Sequence, residues 1–461
     1  MIKNQALDRK KTFRFVDLFA GIGGFHQAIK QIFPKSRCVA VVEKNIFCQK
    51  TYHLNYEFDN FYSDVTDKNV QNSLTNSDIE YDLITAGFPC TPFSKAGKMT
   101  GEEHPEGKLF KSIIKIVEDY NKNHQCPIKF ILLENVTYLA KHNEKQTWQE
   151  MSERLKNLGY ILKFKEIANP LDLNIPQNRS RLFAWFAHQK FDDNFSWTKK
   201  TKHNHYNTNA LSFLKNKFKK DIVQQKVIDK EKEDILLAWE EFVKINKLGV
   251  KRIGFPFWLD FFGFDYLNDE EFKQSFSNAS RGSYESFQEW KKKFLEKNRD
   301  FYKKNKKKCN KWWEKWGNLL KNQRTYCKFE WNGGEKINSI KEGIIQFRNS
   351  GVRVKKPDFF PALVKTQSRA IWWDKKIDAY RYLSSKEALV LQSFPKNFCF
   401  PKNASENTII NYIGNSLNIK ILKSLFKENK ELILAKLLIK KSEPLVNFLP
   451  IVNTITKEIR I

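Results

Sequence analysis

FVDLFAGIGGF, residues 15–25, decides the fold. A nearly continuous apolar run passes directly into three glycines, Gly21, Gly23 and Gly24. The run reads as a buried strand, and glycine lets the backbone beyond it take positive φ and come close to a ligand. The spacing is not the full GxGxxG dinucleotide fingerprint, and a tight strand-to-helix turn alone would account for it. Working outward, the pattern recurs. CVAVVE (38–43), YDLITAG (81–87) and FILLENV (130–136) read as further buried strands, like FRFVDLF (13–19). Between them 24–33, 45–55, 108–120 and 145–158 carry helical spacing. Alternation of this kind predicts an α/β fold, a doubly wound Rossmann-like sheet with helices on both faces. Ligands of such sheets sit beyond the carboxyl ends of the strands, so the residues just after each strand are the candidates for chemistry.

Glu43 ends the second strand, 22 residues after Gly21. An acid there can accept hydrogen bonds from ribose hydroxyls. Asp64, in YSDVTD, follows the third strand and could accept from an adenine amino group; a lone surface acid is the plainer alternative for both. Cys90 lies in GFPCTPFS (87–94), where two prolines stiffen the loop at the ligand edge. It is a candidate nucleophile, although a thiol of ordinary pKa, about 8.5, is mostly protonated at neutral pH. Cys38 and Cys126 read as small buried hydrophobes. Glu134, in LLENV, should point into a partly dry cleft, where burial raises a carboxyl pKa and suits it to donate to a substrate nitrogen. A helix cap is its structural alternative. In PQNRSRLF (176–183), Arg179 and Arg181 would share a face if the segment is a strand, a pairing suited to phosphate, carboxylate or base carbonyl.

The 461 residues hold 81 Lys+Arg against 52 Asp+Glu, a net charge of +29. Length allows two or three domain-sized units, and 41% hydrophobic residues exclude wholesale disorder. No apolar stretch is long enough to span a membrane, and the N-terminus has no secretory signal pattern. Seven cysteines without a CxxC pair, and eight histidines without HExxH, argue against a disulfide framework or a zinc site. A protein of a reducing cytosol, without metal, is expected. The charge calls for a polyanion, but a genome biased toward Lys and Asn codons would raise it without any partner. Distribution separates the two readings: residues 286–330 hold 15 Lys/Arg and 5 Asp/Glu, interleaved with Trp290, Trp312, Trp313 and Trp316. Basic residues near aromatics suit a phosphate-tracking surface. Trp312, Trp313 and Trp316 fit one helical face and read as a small core, leaving the lysines as surface.

From about residue 190 the alternation stops. Residues 198–330 are rich in Lys, Asn, Phe and Trp, with helical patterns at 231–247 and 285–305. A βα-like signal returns with a helix at 385–393 and with YIGNSLNIKILKSLF (412–426). A second unit is therefore inserted, and the final segment completes the first. The expected division is 12–190 completed by 396–440, then 191–395, then a tail at 441–461.

Taken together, FVDLFAGIGGF, GFPCTPFS, LLENV, PQNRSRLF, RYLSSKEALVLQSFP (381–395) and IGNSLNIKIL (413–422) resemble, in order, the blocks of the bacterial DNA (cytosine-5) methyltransferases. The resemblance covers roughly 12–190 and 350–426. It implies a methyltransferase sheet with an inserted, mixed target-recognition domain, and an enzyme that flips a cytosine from duplex DNA and methylates carbon 5 from S-adenosylmethionine. It implies Cys90 as the nucleophile on carbon 6, Glu134 on ring nitrogen 3 and the amino group, Arg181 on the base carbonyl and Arg179 as an orienting group. Phe19, Gly21, Gly23, Glu43, Asp64, Val65, Pro89 and Asn415 would line the cofactor pocket. Three departures stand out: Lys44 where an aromatic is frequent, Ser180 where an acid is common, and Thr91 where Gln is frequent. Base reading falls to 184–380, with Gly351 and Arg353 expected in a groove-side loop. The resemblance also implies a monomer and a restriction-modification setting with a cognate endonuclease. An RNA cytosine-5 methyltransferase on the same scaffold and a non-catalytic DNA-binding protein are the alternatives; the presence of Cys90, Glu134 and Arg181 weighs against the second.

Overall fold

The computed structural model describes residues 12–89, 107–191, 209–218, 226–248, 253–266, 268–276, 284–363 and 369–438. The chain divides into two compact units, 1–206 with 388–461, and 207–387. These borders fall some residues away from the division expected at 190/191 and 395/396.

In the first unit the expected alternation is realised. β1 (Arg14–Leu18), α1 (Gly24–Ile32), β2 (Arg37–Val42), α2 (Ile46–Asn55), β3 (Asn60–Tyr62), α3 (Lys68–Leu74), β4 (Leu83–Ala86), α4 (Gly107–Asn123), β5 (Phe130–Val136), α5 (Gln146–Asn157), β6 (Tyr160–Ala168) and β7 (Arg181–His188) follow one another. Local chemistry sets the helix starts: Asn45 accepts from the Phe47 and Cys48 N–H groups, and Asp67 from Asn69, which satisfies first-turn donors. Among the described residues the strands form one sheet in the order β3-β2-β1-β4-β5-β7-β6. Pairing is parallel from β3 to β5 and antiparallel on both sides of β7. Chain order reverses between β1 and β4, so this is a doubly wound sheet with its switch point there. Helices cover both faces, so β4 and most of β1, β2 and β5 are buried throughout. Each fully buried side chain such as Ile84 or Leu133 contributes about 1.5–3 kcal/mol relative to exposure.

The second unit is built differently. α6 (Lys230–Ile245), capped by Asp229, packs with β8 (Phe257–Trp258), α7 (Glu289–Lys304), α8 (Lys306–Asn322) and a second sheet. That sheet contains β9 (Lys328–Asn332), β10 (Ile344–Arg348), β11 (Gly351–Lys355), β12 (Ile371–Asp374) and β13 (Ala379–Tyr382), in the order β13-β12-β10-β11-β9-β8. Its core is aromatic: Trp239 stacks on Phe329 at 4.5 Å and lies 5.4 Å from Trp312. Trp312 is buried and Trp313 and Trp316 half-buried, so the tryptophans form a core face as their spacing predicts. Arg381 is buried over the Trp372 ring, with Asp374 Oδ2 at 2.6 Å and Glu387 Oε1 at 2.9 Å, so its charge is fully compensated. Glu387 and Ser384 form a reciprocal capping box at the start of α9 (Ser385–Leu391).

Beyond α9 the chain belongs to the first unit through α10 (Glu406–Asn415), α11 (Ile419–Glu428) and α12 (Lys430–Leu438). α11 packs on α1, with Phe426 edge-on to Phe33 and Trp185. Asn55 is bonded reciprocally to the Cys399 backbone at 2.8 Å. Among the described residues no helix is long and apolar enough to cross a membrane.

Gly351 and Arg353 do not lie in a loop: both are in β11, and Arg353 is opposite Glu330 and Gln346. Glu330 binds Arg348 at 2.8 Å and Arg353 at 3.2 Å. Gly351 opens the strand at φ +115°, and a Cβ there would lie 2.3 Å from the Lys328 carbonyl oxygen. Gly351→Ala should therefore destabilise the second unit by at least about 1–3 kcal/mol, seen as a lower urea midpoint. An unchanged midpoint would refute this account of β11.

Candidate active site

The carboxyl ends of β1, β4 and β5 open on one cavity, partly open to solvent. It is lined by Phe19, Gly21 and Ile22 from the turn after β1, by Gly87 after β4, by Glu134 of β5, and by Tyr412 and Asn415–Leu417 from the end of α10, among others. Phe19, Gly21 and Gly23 all have positive φ, which for Phe19 is a strained conformation held by its surroundings. A Cβ on Gly21 would meet nothing within 4 Å, so that face of the turn is open. A Cβ on Gly23 would lie 2.2 Å from the Tyr56 ring, so the opposite face is filled.

Glu43 anchors the turn. Its Oε2 accepts from Gly21 N–H at 2.8 Å, and its Oε1 accepts from Asn45 N–H at 2.7 Å. Burial pushes its pKa up against these bonds. Each oxygen keeps a further lone pair. Asp64 pairs with Lys44 at 2.8 Å and accepts from Thr66. Partial burial raises its pKa, but the Lys44 and Thr66 bonds outweigh it and hold the carboxyl below its usual range. Lys44, which replaces the frequent aromatic, is thus tied to Asp64. Val65 is buried in the core, not in the cavity lining. Pro89 is exposed. Cys90 lies outside the described residues.

Glu134 is buried within β5, not at a helix cap. Its Oε1 lies 3.2 Å from Arg181 Nε. Burial raises its pKa and the charges of Arg181 and Arg179 only partly offset this. Its other oxygen lies 3.3 Å from the position of a Cβ on Gly87. The adjacent Asn135 donates to the Phe88 carbonyl at 3.2 Å and holds that segment against β5. The two arginines do not share a strand face: β7 begins only at Arg181. Arg179 is buried and donates instead to the Ser416 carbonyl at 3.0 Å, tying it to the turn after α10.

A family model for C-5 cytosine-specific DNA methylases matches residues 13–431. The chain belongs to this family. Similar members include Type II methyltransferase M.DsaV of Dactylococcopsis salina, 34% identical over 174 residues, 38% of this chain and 45% of that one. Type II methyltransferase M.NlaX of Neisseria lactamica is 36% identical over 172 residues, 37% and 51% of the two chains. Type II methyltransferase M.HhaI of Haemophilus parahaemolyticus is 30% identical over 242 residues, 52% and 65% of the two chains. The matches thus span about half to two thirds of the relatives' lengths.

Two features of this methylase escaped the sequence. Tyr412 enters the lining, stacked on Phe47 at 4.6 Å, and only its place beside the IGNSLNIKIL block marked it. The second lies beneath the glycine turn. Asp17 accepts from Thr85 Oγ1 at 2.8 Å and from Tyr52 OH at 3.3 Å. Tyr52 OH shares a 2.8 Å bond with His26 Nδ1; His26 stacks on Tyr56, and Tyr56 OH donates to the Gly23 carbonyl at 3.0 Å. This chain runs from β1 to the glycine turn. An acid inside FRFVDLF was its signal. Burial pushes Asp17 to about 8 and His26 down to about 3, so both are neutral at pH 7.

A raised carboxyl pKa means that the folded state holds a proton the unfolded state releases, so stability falls as pH rises from the ordinary 3.8 toward about 8. Asp17→Asn, neutral at every pH, lacks this loss. The variant should gain on the wild type across that window by up to about 1.4 kcal/mol per pH unit, then level off. Parallel stability curves from urea unfolding at several pH values would count against it.

Proposed function

We propose that the chain is a DNA cytosine-5 methyltransferase acting on a cytosine flipped out of duplex DNA. The observation that carries the reading is the buried Glu134–Arg181 pair facing Gly87. Cys90 is three residues beyond Gly87, so covalent reach alone keeps its Cα within about 11 Å of that glycine. A thiol and a buried, paired carboxyl thereby serve one cavity edge, which must admit a single base.

The residues fit S-adenosylmethionine as methyl donor. The open face of the Gly21 turn, the Phe19 and Tyr412 rings and Asn415 line the cavity, and the Glu43 carboxylate holds the Gly21 turn at its edge. Gly23 shapes the turn, while Asp64, Val65 and Pro89 would support the pocket edge. When bound, the donor supplies an electrophilic methyl group on a sulfonium sulfur. This chain's own residues do the rest. Cys90, as thiolate, adds to carbon 6 and makes carbon 5 nucleophilic. Glu134, whose proton is held more tightly because of burial, donates to ring nitrogen 3 as negative charge develops. Arg181 holds the base carbonyl oxygen, and Arg179 positions the turn after α10. Loss of the carbon-5 proton then expels Cys90 as thiolate. The first unit is the catalytic, donor-binding domain and the second the target-recognition domain. The setting proposed is the bacterial cytoplasm, with the enzyme acting as a monomer beside a cognate endonuclease, in keeping with relatives named Type II methyltransferases.

Bisulfite sequencing of plasmid from expressing cells should reveal 5-methylcytosine in one sequence context. A duplex carrying 5-fluorocytosine at that site, with methyl donor present, should become covalently attached to the wild type and not to Cys90→Ala. No attachment at a verified site would refute the assignment.

Glu134→Gln should lower kcat by about 10²–10⁴-fold. Because the raised pKa keeps Glu134 protonated above the usual carboxylate range, wild-type rate should fall as pH rises through that displaced value. Glu134→Gln, whose amide donates at every pH, should lack this falling limb; a limb that persists in the variant belongs to another group.

A further inference from the structure

The α7–α8 hairpin carries thirteen Lys/Arg against four Asp/Glu over residues 289–322. Its inner side is committed to the core. Trp312 Nε1 donates to the Ala238 carbonyl at 2.7 Å, Trp316 Nε1 to Glu241 at 2.9 Å, and Trp313 stacks on Phe264 at 4.5 Å. Tyr302 OH donates to Asn310 at 2.9 Å and ties the two helices together beside their Asn305 joint. The outward side is therefore backed by a packed core, and most of its charged groups are lysines.

Several lysines of this unit have acidic partners: Lys315 with Glu241, Lys303 with Asp269, Lys244 with Glu240. Lys293, Lys297, Lys304, Lys306, Lys307 and Lys308 are exposed, and none has an ion-pair partner among the described residues. On α7, Lys293, Lys297 and Lys304 fall within about 40° of one another around the axis, with Asp300 the acid in the same stripe. Lys304, Lys306, Lys307 and Lys308 crowd the hairpin tip. Three of them occupy the first turn of α8, which has no acid, so they oppose each other and the helix dipole. Among the described residues no ion pair offsets that repulsion.

We propose that the tip of this hairpin, with the α7 stripe, is a sequence-independent docking surface for the phosphate backbone of duplex DNA. The identity of the polyanion rests on the function proposed above; the surface itself rests on charge and exposure. Flexible, unpaired lysines suit point contacts to phosphates and carry no base information. They add affinity and salt dependence, whatever the sequence bound.

The test uses the full chain with Lys304→Gln, Lys306→Gln, Lys307→Gln and Lys308→Gln combined, and the four Lys→Arg changes as control. Duplex affinity is measured between about 50 and 200 mM salt, with and without the target site. Each lost phosphate contact lowers the slope of log K against log salt by about 0.9, so the Gln variant should lose about 2–4 in slope, equally on both duplexes. The Arg variant should keep it. An unchanged slope, or a change confined to the target duplex, would overturn the inference. Methyl transfer with an unchanged slope in the Gln variant leaves the enzymatic reading intact and removes the docking surface. A reduced slope in a protein that transfers no methyl group does the reverse.

Discussion

The site depends on the parallel pairing of β4 between β1 and β5. Leu18 lies beside Ala86, and Ala86 beside Leu133. Three segments more than forty residues apart in sequence therefore end at one level, and each releases its next residues into the same space. Phe19 and Gly21, Gly87 and Glu134 are neighbours for that reason alone. A slip of one residue in β5 would turn Glu134 to the opposite face and bury Leu133 or Asn135 in its place. The turn after α10 can close the cavity only because Arg179 reaches its Ser416 carbonyl from the segment before β7.

Within this frame, buried carboxyls take different roles from different surroundings. Asp17 and Glu134 both sit at the ends of apolar strands and both have raised pKa values through burial. Asp17 is bonded to the neutral hydroxyls of Thr85 and Tyr52, so a neutral acid linking β1, β4 and α2 is the stable form. Glu134 faces the cavity and a guanidinium, whose charge partly offsets the effect of burial. In the second unit Asp374 and Glu387 share Arg381 and are fully matched, which makes a rigid staple and leaves no group free to exchange a proton. The protein thus has buried acids committed to structure and one, Glu134, that faces the cavity beside a guanidinium.

Much of the first unit was legible because its signals are strong. Continuous apolar runs such as FILLENV can only be buried strands in an alternating chain, and asparagine or aspartate marks the start of several helices. Glu134 and Gly21 were legible as site residues because they follow those strands directly. The second sheet was not. Its strands are two to five residues long, and β8 and β12 bear tryptophans that read equally well as helix or core. Long-range contacts decide such segments, as Gly351 shows: its φ is set by the Lys328 backbone across the sheet. Arg179 was misplaced because strand geometry begins two residues later than its spacing suggests. Tyr412 was invisible because a helix places it against Phe47, 365 residues earlier in the chain.

Charge distribution bears on the remaining ambiguity in the sequence, whether the +29 reflects codon usage or a partner. Codon bias would scatter lysine without regard to neighbouring acids. Residues 286–330, about a tenth of the chain, hold +10 of that net charge, and Lys293, Lys297, Lys304, Lys306, Lys307 and Lys308 among them are exposed on α7 and at the tip of one hairpin. The cavity follows the opposite principle: Glu134 and Ser416 of its lining each hold an arginine, Arg181 by a carboxylate and Arg179 by a carbonyl. A guanidinium held in place can discriminate a base, whereas mobile ammonium groups can only hold a polymer nearby. On the function proposed, such a division of labour lets backbone affinity rise without any change to the fixed guanidinium groups beside Glu134 and Ser416.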